Sequence, residues 1–123
     1  MSHADTIRAY YAAWIRDDLD AVFRLCTDDL IAVNVPLGPL HGAAATREFL
    51  NKFARGMTNK RYDVCALLEQ GDTVMVEGVE SYDKKGKRVS LPYMTVFYFK
   101  SEKIREWRDY FDLQTIQRQL AQV

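Results

Sequence analysis

Two acids and one amide stand out in this sequence of 123 residues, because each falls in an otherwise apolar row of alternating residues. Side chains two apart on a strand share a face. Glu80 then shares its face with Val74, Val76, Gly78 and Tyr82, Asp109 with Arg105, Trp107 and Phe111, and Asn34 with Leu30 and Ala32. If these rows line one cavity, two carboxyl groups and a carboxamide converge in apolar surroundings. Such carboxyl groups tend to share a proton, which leaves one acid and one base near neutral pH. Each residue also has a structural alternative. Glu80 could be a surface carboxylate paired with a nearby Lys or Arg, and Asp109 could be bridged to Arg105 or Arg108. Asn34, just before Val35-Pro36, could cap the entry to a loop. The aromatic set Tyr10, Tyr11, Trp14, Tyr93, Trp107 and Phe111 is expected to serve first as core. His41, beside Gly42, reads as a helix-entry residue.

The elements that must position these groups follow from periodicity. Ile7, Tyr10, Tyr11, Trp14 and Ile15 recur at helical spacing behind a Ser2-x-x-Asp5 cap signal, and Leu19, Val22, Phe23 and Cys26 form a shorter helix after Asp17-Asp18. Thr27-Asp28-Asp29 breaks that pattern. Leu30 to Val35 reads as a strand, and Pro36-Leu37-Gly38-Pro39 as a loop without regular structure. A third amphipathic helix is expected over Thr46 to Met57. The remainder alternates as a meander. Tyr62, Val64, Ala66 and Leu68 share one face, Val74 to Tyr82 runs back, Val89 to Phe99 is a long strand, and Ile104 to Phe111 is the last. A closing helix carries Leu113, Ile116 and Leu120. Helices segregated from an antiparallel sheet define a single α+β domain over residues 1–123, and a strongly twisted sheet can curl into a half-open cone whose mouth is a natural pocket.

Composition removes several function classes. With 17 Lys+Arg against 17 Asp+Glu the net charge is zero, so neither a nucleic-acid backbone nor an anionic membrane finds a basic footprint. The cluster Lys84, Lys85, Lys87 and Arg88 falls in a hairpin turn and reads as a solvated turn. Cys26 and Cys65 have no metal-ligand or redox-motif spacing and are expected to be reduced, largely buried thiols. No stretch approaches a membrane span, and the opening residues lack an apolar signal core, so a cytoplasmic protein is expected.

The segment Glu106-Trp107-Arg108-Asp109-Tyr110-Phe111-Asp112-Leu113 resembles the last-strand W-R-D-Y-F-D-L motif of limonene-1,2-epoxide hydrolases. Asn34-Val35-Pro36-Leu37 resembles that family's first-strand N-x-P-L loop, and Glu77-Gly78-Val79-Glu80 occupies the place of its E-R-x-D strand. The resemblance implies the cone fold shared by nuclear transport factor 2, ketosteroid isomerase and the SnoaL-like cyclases, commonly as dimers. It implies that water is added to a small apolar epoxide without metal or organic cofactor, with Asp109 as base, Glu80 as acid and Asn34 orienting the water. Two family positions differ: Ala32 stands where a tyrosine holds the water, and Gly78 where an arginine bridges the two acids. Tyr93, facing with Leu91, Thr95 and Phe97, could restore a phenol. The pocket wall expected from these faces comprises Tyr11, Trp14, Ile15, Ala32, Phe53, Gly78, Tyr82, Leu91, Tyr93, Trp107, Phe111 and Ile116. An isomerase or cyclase that moves a proton beside a carbonyl, and a non-catalytic ligand binder with a degenerate site, are the alternatives. Outward apolar residues such as Met94, Val96 and Tyr98 are candidates for a homodimer face.

Overall fold

In a computed structural model, which describes residues 2–121, two helices come first, a third helix separates the first two strands from the last four of a six-stranded sheet, and a short helix ends the chain's described part. Helix α1 (His3–Ile15) begins at a capping box: the Ser2 hydroxyl accepts from the Asp5 amide and the Asp5 carboxylate accepts from Ser2. Its face of Ile7, Tyr11 and Trp14 is buried. Helix α2 (Leu19–Arg24) is capped by the Asp18 side chain and folds back through Asp17, which adopts a left-handed conformation at φ 62°. Helix α3 spans Ala43–Phe53 and α4 spans Leu113–Ala121.

The strands are β1 (Cys26–Asn34), β2 (Gly38–His41), β3 (Thr58–Gln70), β4 (Thr73–Lys84), β5 (Lys87–Lys100) and β6 (Lys103–Tyr110), in the order β2-β1-β6-β5-β4-β3. All pairings are antiparallel except β1 with β6. The sheet curls around α1, burying Leu30, Val74, Val76, Phe97 and Trp107 against it. This is the α+β architecture with a curved sheet that the sequence pattern predicts.

Five local expectations are corrected. Thr27-Asp28-Asp29 lies within β1 as an irregularity between Cys26 and Ile31 and does not end an element. Gly38–His41, expected as loop, forms the edge strand β2, where Pro39 needs no ladder N–H. The shared face of Tyr62, Val64, Ala66 and Leu68 is interrupted by a bulge between Val64 and Ala66. Tyr62 and Leu67 therefore pack against the core while Leu68 is 72% exposed. Cys65, at that bulge, is exposed, and only Cys26 of the two free thiols is buried. The basic turn is also more than a solvated loop. The Lys84 ammonium donates to the Phe53 carbonyl at the end of α3, and Lys87 donates to the Leu120 carbonyl in α4. Among the described residues no helix is long and apolar enough to cross a membrane.

Candidate active site

The mouth of the curled sheet holds a cavity of about 60 Å³. Its wall is largely aromatic and includes Tyr10, Trp14, Phe49, Phe53, Tyr62, Tyr93, Trp107 and Phe111, with Asn34, Glu80 and Asp109 as polar groups. Strand register brings the three together from distant parts of the chain. Asn34 on β1 is the parallel partner of Asp109 on β6, so their side chains stand side by side on strands roughly 5 Å apart. The Val35 amide donates to the Asp109 carbonyl at 2.9 Å, and the Leu37 amide to the Asn34 carbonyl at 2.7 Å, which holds the loop beyond Asn34 against β6. On β5, Thr95 stands opposite Asp109 and Leu91 opposite Glu80, with Tyr93 between them. Tyr62 on β3 stands opposite Glu80 from the other side.

Each carboxyl group has one hydroxyl donor. The Thr95 hydroxyl donates to Asp109, and the Tyr62 hydroxyl donates to Glu80. Neither carboxylate forms an ion pair among the described residues, because Arg105 and Arg108 both turn to Glu106 instead. Arg105 is displaced from the Asp109 face by a register shift between β5 and β6, which buries Ile104 in its place. Burial pushes the Asp109 carboxyl up to about 6, against the opposing Thr95 hydrogen bond. Burial likewise pushes Glu80 up to about 7, opposed by the Tyr62 hydrogen bond and raised further by the Asp109 charge. Of the pair, Asp109 ionises first as pH rises and Glu80 keeps its proton longer.

The remaining expected wall residues divide. Trp14, Ala32, Phe53, Tyr93, Trp107, Phe111 and Ile116 line the cavity. Tyr11 lies behind the wall, stacked on Tyr62 at 4.8 Å, while Tyr82 and Leu91 are sealed in a second apolar cluster with Met57 and Val89. Ile15 is 38% exposed at the end of α1 and points away. Gly78 contributes no side chain and borders a groove on the convex face with Cys65, Pro92, Met94 and Tyr110. A Cβ at Gly78 would stand 2.0 Å from the Asp63 carbonyl oxygen and 2.8 Å from the Tyr93 hydroxyl. The backbone of β3 closes on Gly78 next to the bulge, so a bridging arginine cannot occupy this position without moving β3. Tyr93 fills the space instead. Its hydroxyl and that of Tyr11 are both buried, and among the described residues neither has a hydrogen-bond partner beyond the other. Burial raises the Tyr93 phenol to about 12, which leaves a neutral O–H available to an acceptor in the cavity.

Sequence reasoning missed Tyr62 and Thr95 as partners of the acids, and Tyr10, Leu37, Leu40, Thr46, Phe49 and Leu50 as wall. Thr95 was legible, since it shares a face with Tyr93 on a strand expected beside that of Asp109. Tyr62 was hidden by the bulge.

The model of the SnoaL-like domain matches residues 7–107. No functionally curated protein matches the sequence. Many solved structures share the fold, three of them as follows. An epoxide hydrolase from Mycobacterium tuberculosis, described as similar to limonene-epoxide hydrolase, is 24% identical over 96% of this chain and 91% of that one, with a TM-score of 0.83. A polyketide cyclase from Pseudomonas putida, itself only provisionally assigned, is 24% identical over 97% and 98%, with a TM-score of 0.86. A nuclear transport factor 2-like protein of unknown function from Burkholderia pseudomallei is 22% identical over 99% and 100%, with a TM-score of 0.88.

Proposed function

The chain belongs to the SnoaL-like domain family, and within it we propose an acid–base enzyme that opens a small apolar epoxide with water. One observation carries this reading: two unpaired carboxyl groups share an aromatic cavity with proton affinities near 6 and 7. In the proposed step, water sits between the Asn34 amide and the Asp109 carboxylate. Asp109 takes a proton as the water oxygen attacks an epoxide carbon, the carbon–oxygen bond of the ring breaks, and Glu80 gives its proton to the departing oxygen. Asp109 ends protonated and Glu80 ionised, and the pair resets when Asp109 releases its proton to solvent and Glu80 takes one up. The aromatic wall favours an uncharged substrate. The solved epoxide hydrolase of the same fold is consistent with this assignment.

A second reading draws on the buried Tyr93 hydroxyl, which lines the cavity and could hold an enolate oxygen while Asp109 moves a proton beside a carbonyl. Heavy-oxygen water separates the two. Diol formed from a panel of small cyclic epoxides, with one labelled oxygen per molecule, supports hydrolysis. Deuterium exchange next to a carbonyl without label incorporation overturns it in favour of isomerisation. For the quaternary state we propose a homodimer through the convex sheet face, where Leu68, Met75, Met94 and Tyr110 are 45–72% exposed.

A further inference from the structure

The two acids lie in a cavity whose lining supplies no cation, yet a buried ammonium stands directly behind the wall. The Lys60 side chain is only 3% exposed. Its ammonium lies 4.0 Å from the centre of the Trp14 ring, and Trp14 is part of the cavity wall. Lys60 falls in the register irregularity between Thr58 and Arg61, and its packing on Trp14, with the next residue Arg61 exposed, puts the ammonium on the cavity side of the sheet, two residues from the phenol that donates to Glu80. The ammonium is held in place by an ion pair to Asp17. Asp17 is itself fixed by its left-handed backbone and by donation of its amide to the Trp14 carbonyl at 3.1 Å. The turn after α1 thus presents its carboxylate where β3 presents its lysine.

We propose that Lys60 is a positioning residue for the proton donor: pinned between Trp14 and Asp17, its ammonium supplies the positive potential that keeps Glu80 able to release its proton. The proposal rests on the acid role of Glu80 given above. It accounts for how the site functions without a cation between the carboxyl groups. The charge stands outside the cavity, shielded by an aromatic ring, and does not neutralise Asp109. The groups that shift Glu80 are Tyr62 and Lys60 from β3 and Asp109 from β6, while the Glu80 charge is in turn felt by Tyr82 of β4, Tyr93 of β5 and Tyr10 of α1. Of these, Lys60 is the one that is positively charged. Its field opposes the effects of burial and of the Asp109 charge on Glu80, in line with the direction in which it shifts that group.

The test reads Glu80 directly, by carboxyl-detected NMR titration of glutamate-labelled protein, so that it does not require the protein to be an epoxide hydrolase. Lys60→Met should raise the proton affinity of Glu80 by about three- to tenfold, the effect of a partly shielded charge. Lys60→Arg should leave it near that of the parent protein. Asp17→Asn should lower it, because the offsetting negative charge is removed. Should Lys60→Met fail to fold, Lys60→Arg and Asp17→Asn carry the test, since Asp17 is 69% exposed and its change is tolerable. Unmoved titration in all variants that fold, or shifts of one sign in Lys60→Met and Asp17→Asn, overturns the proposal and leaves Lys60 as packing only. If turnover is found, the alkaline limb of its pH profile should move with the NMR value. A moving NMR value without turnover would instead strike at the catalytic role of Glu80.

Discussion

The Asp109 end of the cavity and the Glu80 end are built differently. Asp109 stands on regular ladder between β5 and β1, with Asn34 and Thr95 at its register positions. Glu80 depends on Tyr62, which reaches it from β3 just before the bulge between Val64 and Ala66. Burial raises both carboxyl groups by similar amounts, Asp109 from 3.8 to about 6 and Glu80 from 4.5 to about 7, so the ordinary order of the two acids is kept. Asp109 carries a hydroxyl bond and no raising charge, whereas the negative field of Asp109 helps Glu80 keep its proton. In the proposed step the group that ionises first serves as the base and the one that ionises second as the acid.

The largest effect should come from removing the first group. Asp109→Asn should cut kcat/KM for epoxide opening by about a thousandfold, roughly 4 kcal/mol of transition-state stabilisation, while Glu80→Gln should cost about a hundredfold. Steady-state kinetics at neutral pH check both, and equal losses would erase the distinction between the ends.

Stability gives the next effect. Folding raises Glu80 from 4.5 to about 7 and Asp109 from 3.8 to about 6, so the folded state binds protons that the unfolded state has released. The resulting stabilisation is complete below about pH 4, where both states are protonated, and is lost as pH rises through 6 and 7. Denaturant titrations should show stability falling over this range by about 3 kcal/mol for each group. Glu80→Gln should remove the part lost at higher pH and Asp109→Asn the part lost at lower pH. A flat profile in the parent protein would falsify the proton affinities on which the site depends.

At the Glu80 end, Gly78→Ala should destabilise the fold by about 2–3 kcal/mol, because the added methyl meets the Asp63 carbonyl and β3 must move. The bulge that aligns Tyr62 should loosen with it, so chemical-shift changes should concentrate on β3 and spare β6. The smallest effects, about 1 kcal/mol each, should come from the hydroxyl donors, and they should differ in consequence. Thr95→Val raises Asp109, so less of the base is ionised at pH 7 and the acid limb of the rate profile moves up. Tyr62→Phe raises Glu80, so the proton donor persists to higher pH and the alkaline limb moves up.

Much of this site was legible before the structure, because alternation on β4 and β6 is strict enough to place Glu80 and Asp109 on inward faces. The helices were equally legible from the spacing of Ile7, Tyr11 and Trp14 and from the Ser2 cap. Parity failed where the ladder slips. The bulge reversed Leu67 and Leu68, and the shift near Arg105 removed the arginine expected beside Asp109. Periodicity carries no record of an extra residue opposite one partner, since a bulge is decided by the fit between two strands.

The sequence by itself determined which residues can take or give a proton, which rows are apolar, and that helices and a meander must pack as one α+β layer pair. Those are properties of local spacing and side-chain chemistry. Only the tertiary structure decided that Asn34 stands beside Asp109, that Tyr62 serves Glu80, that β3 leaves no room for an arginine at Gly78, and that the Lys60 ammonium lies behind Trp14. Each of these is a contact between strands or helices far apart in the chain, and proton affinity depends on such contacts. Burial and neighbouring charge exist only once the sheet has curled around the cavity.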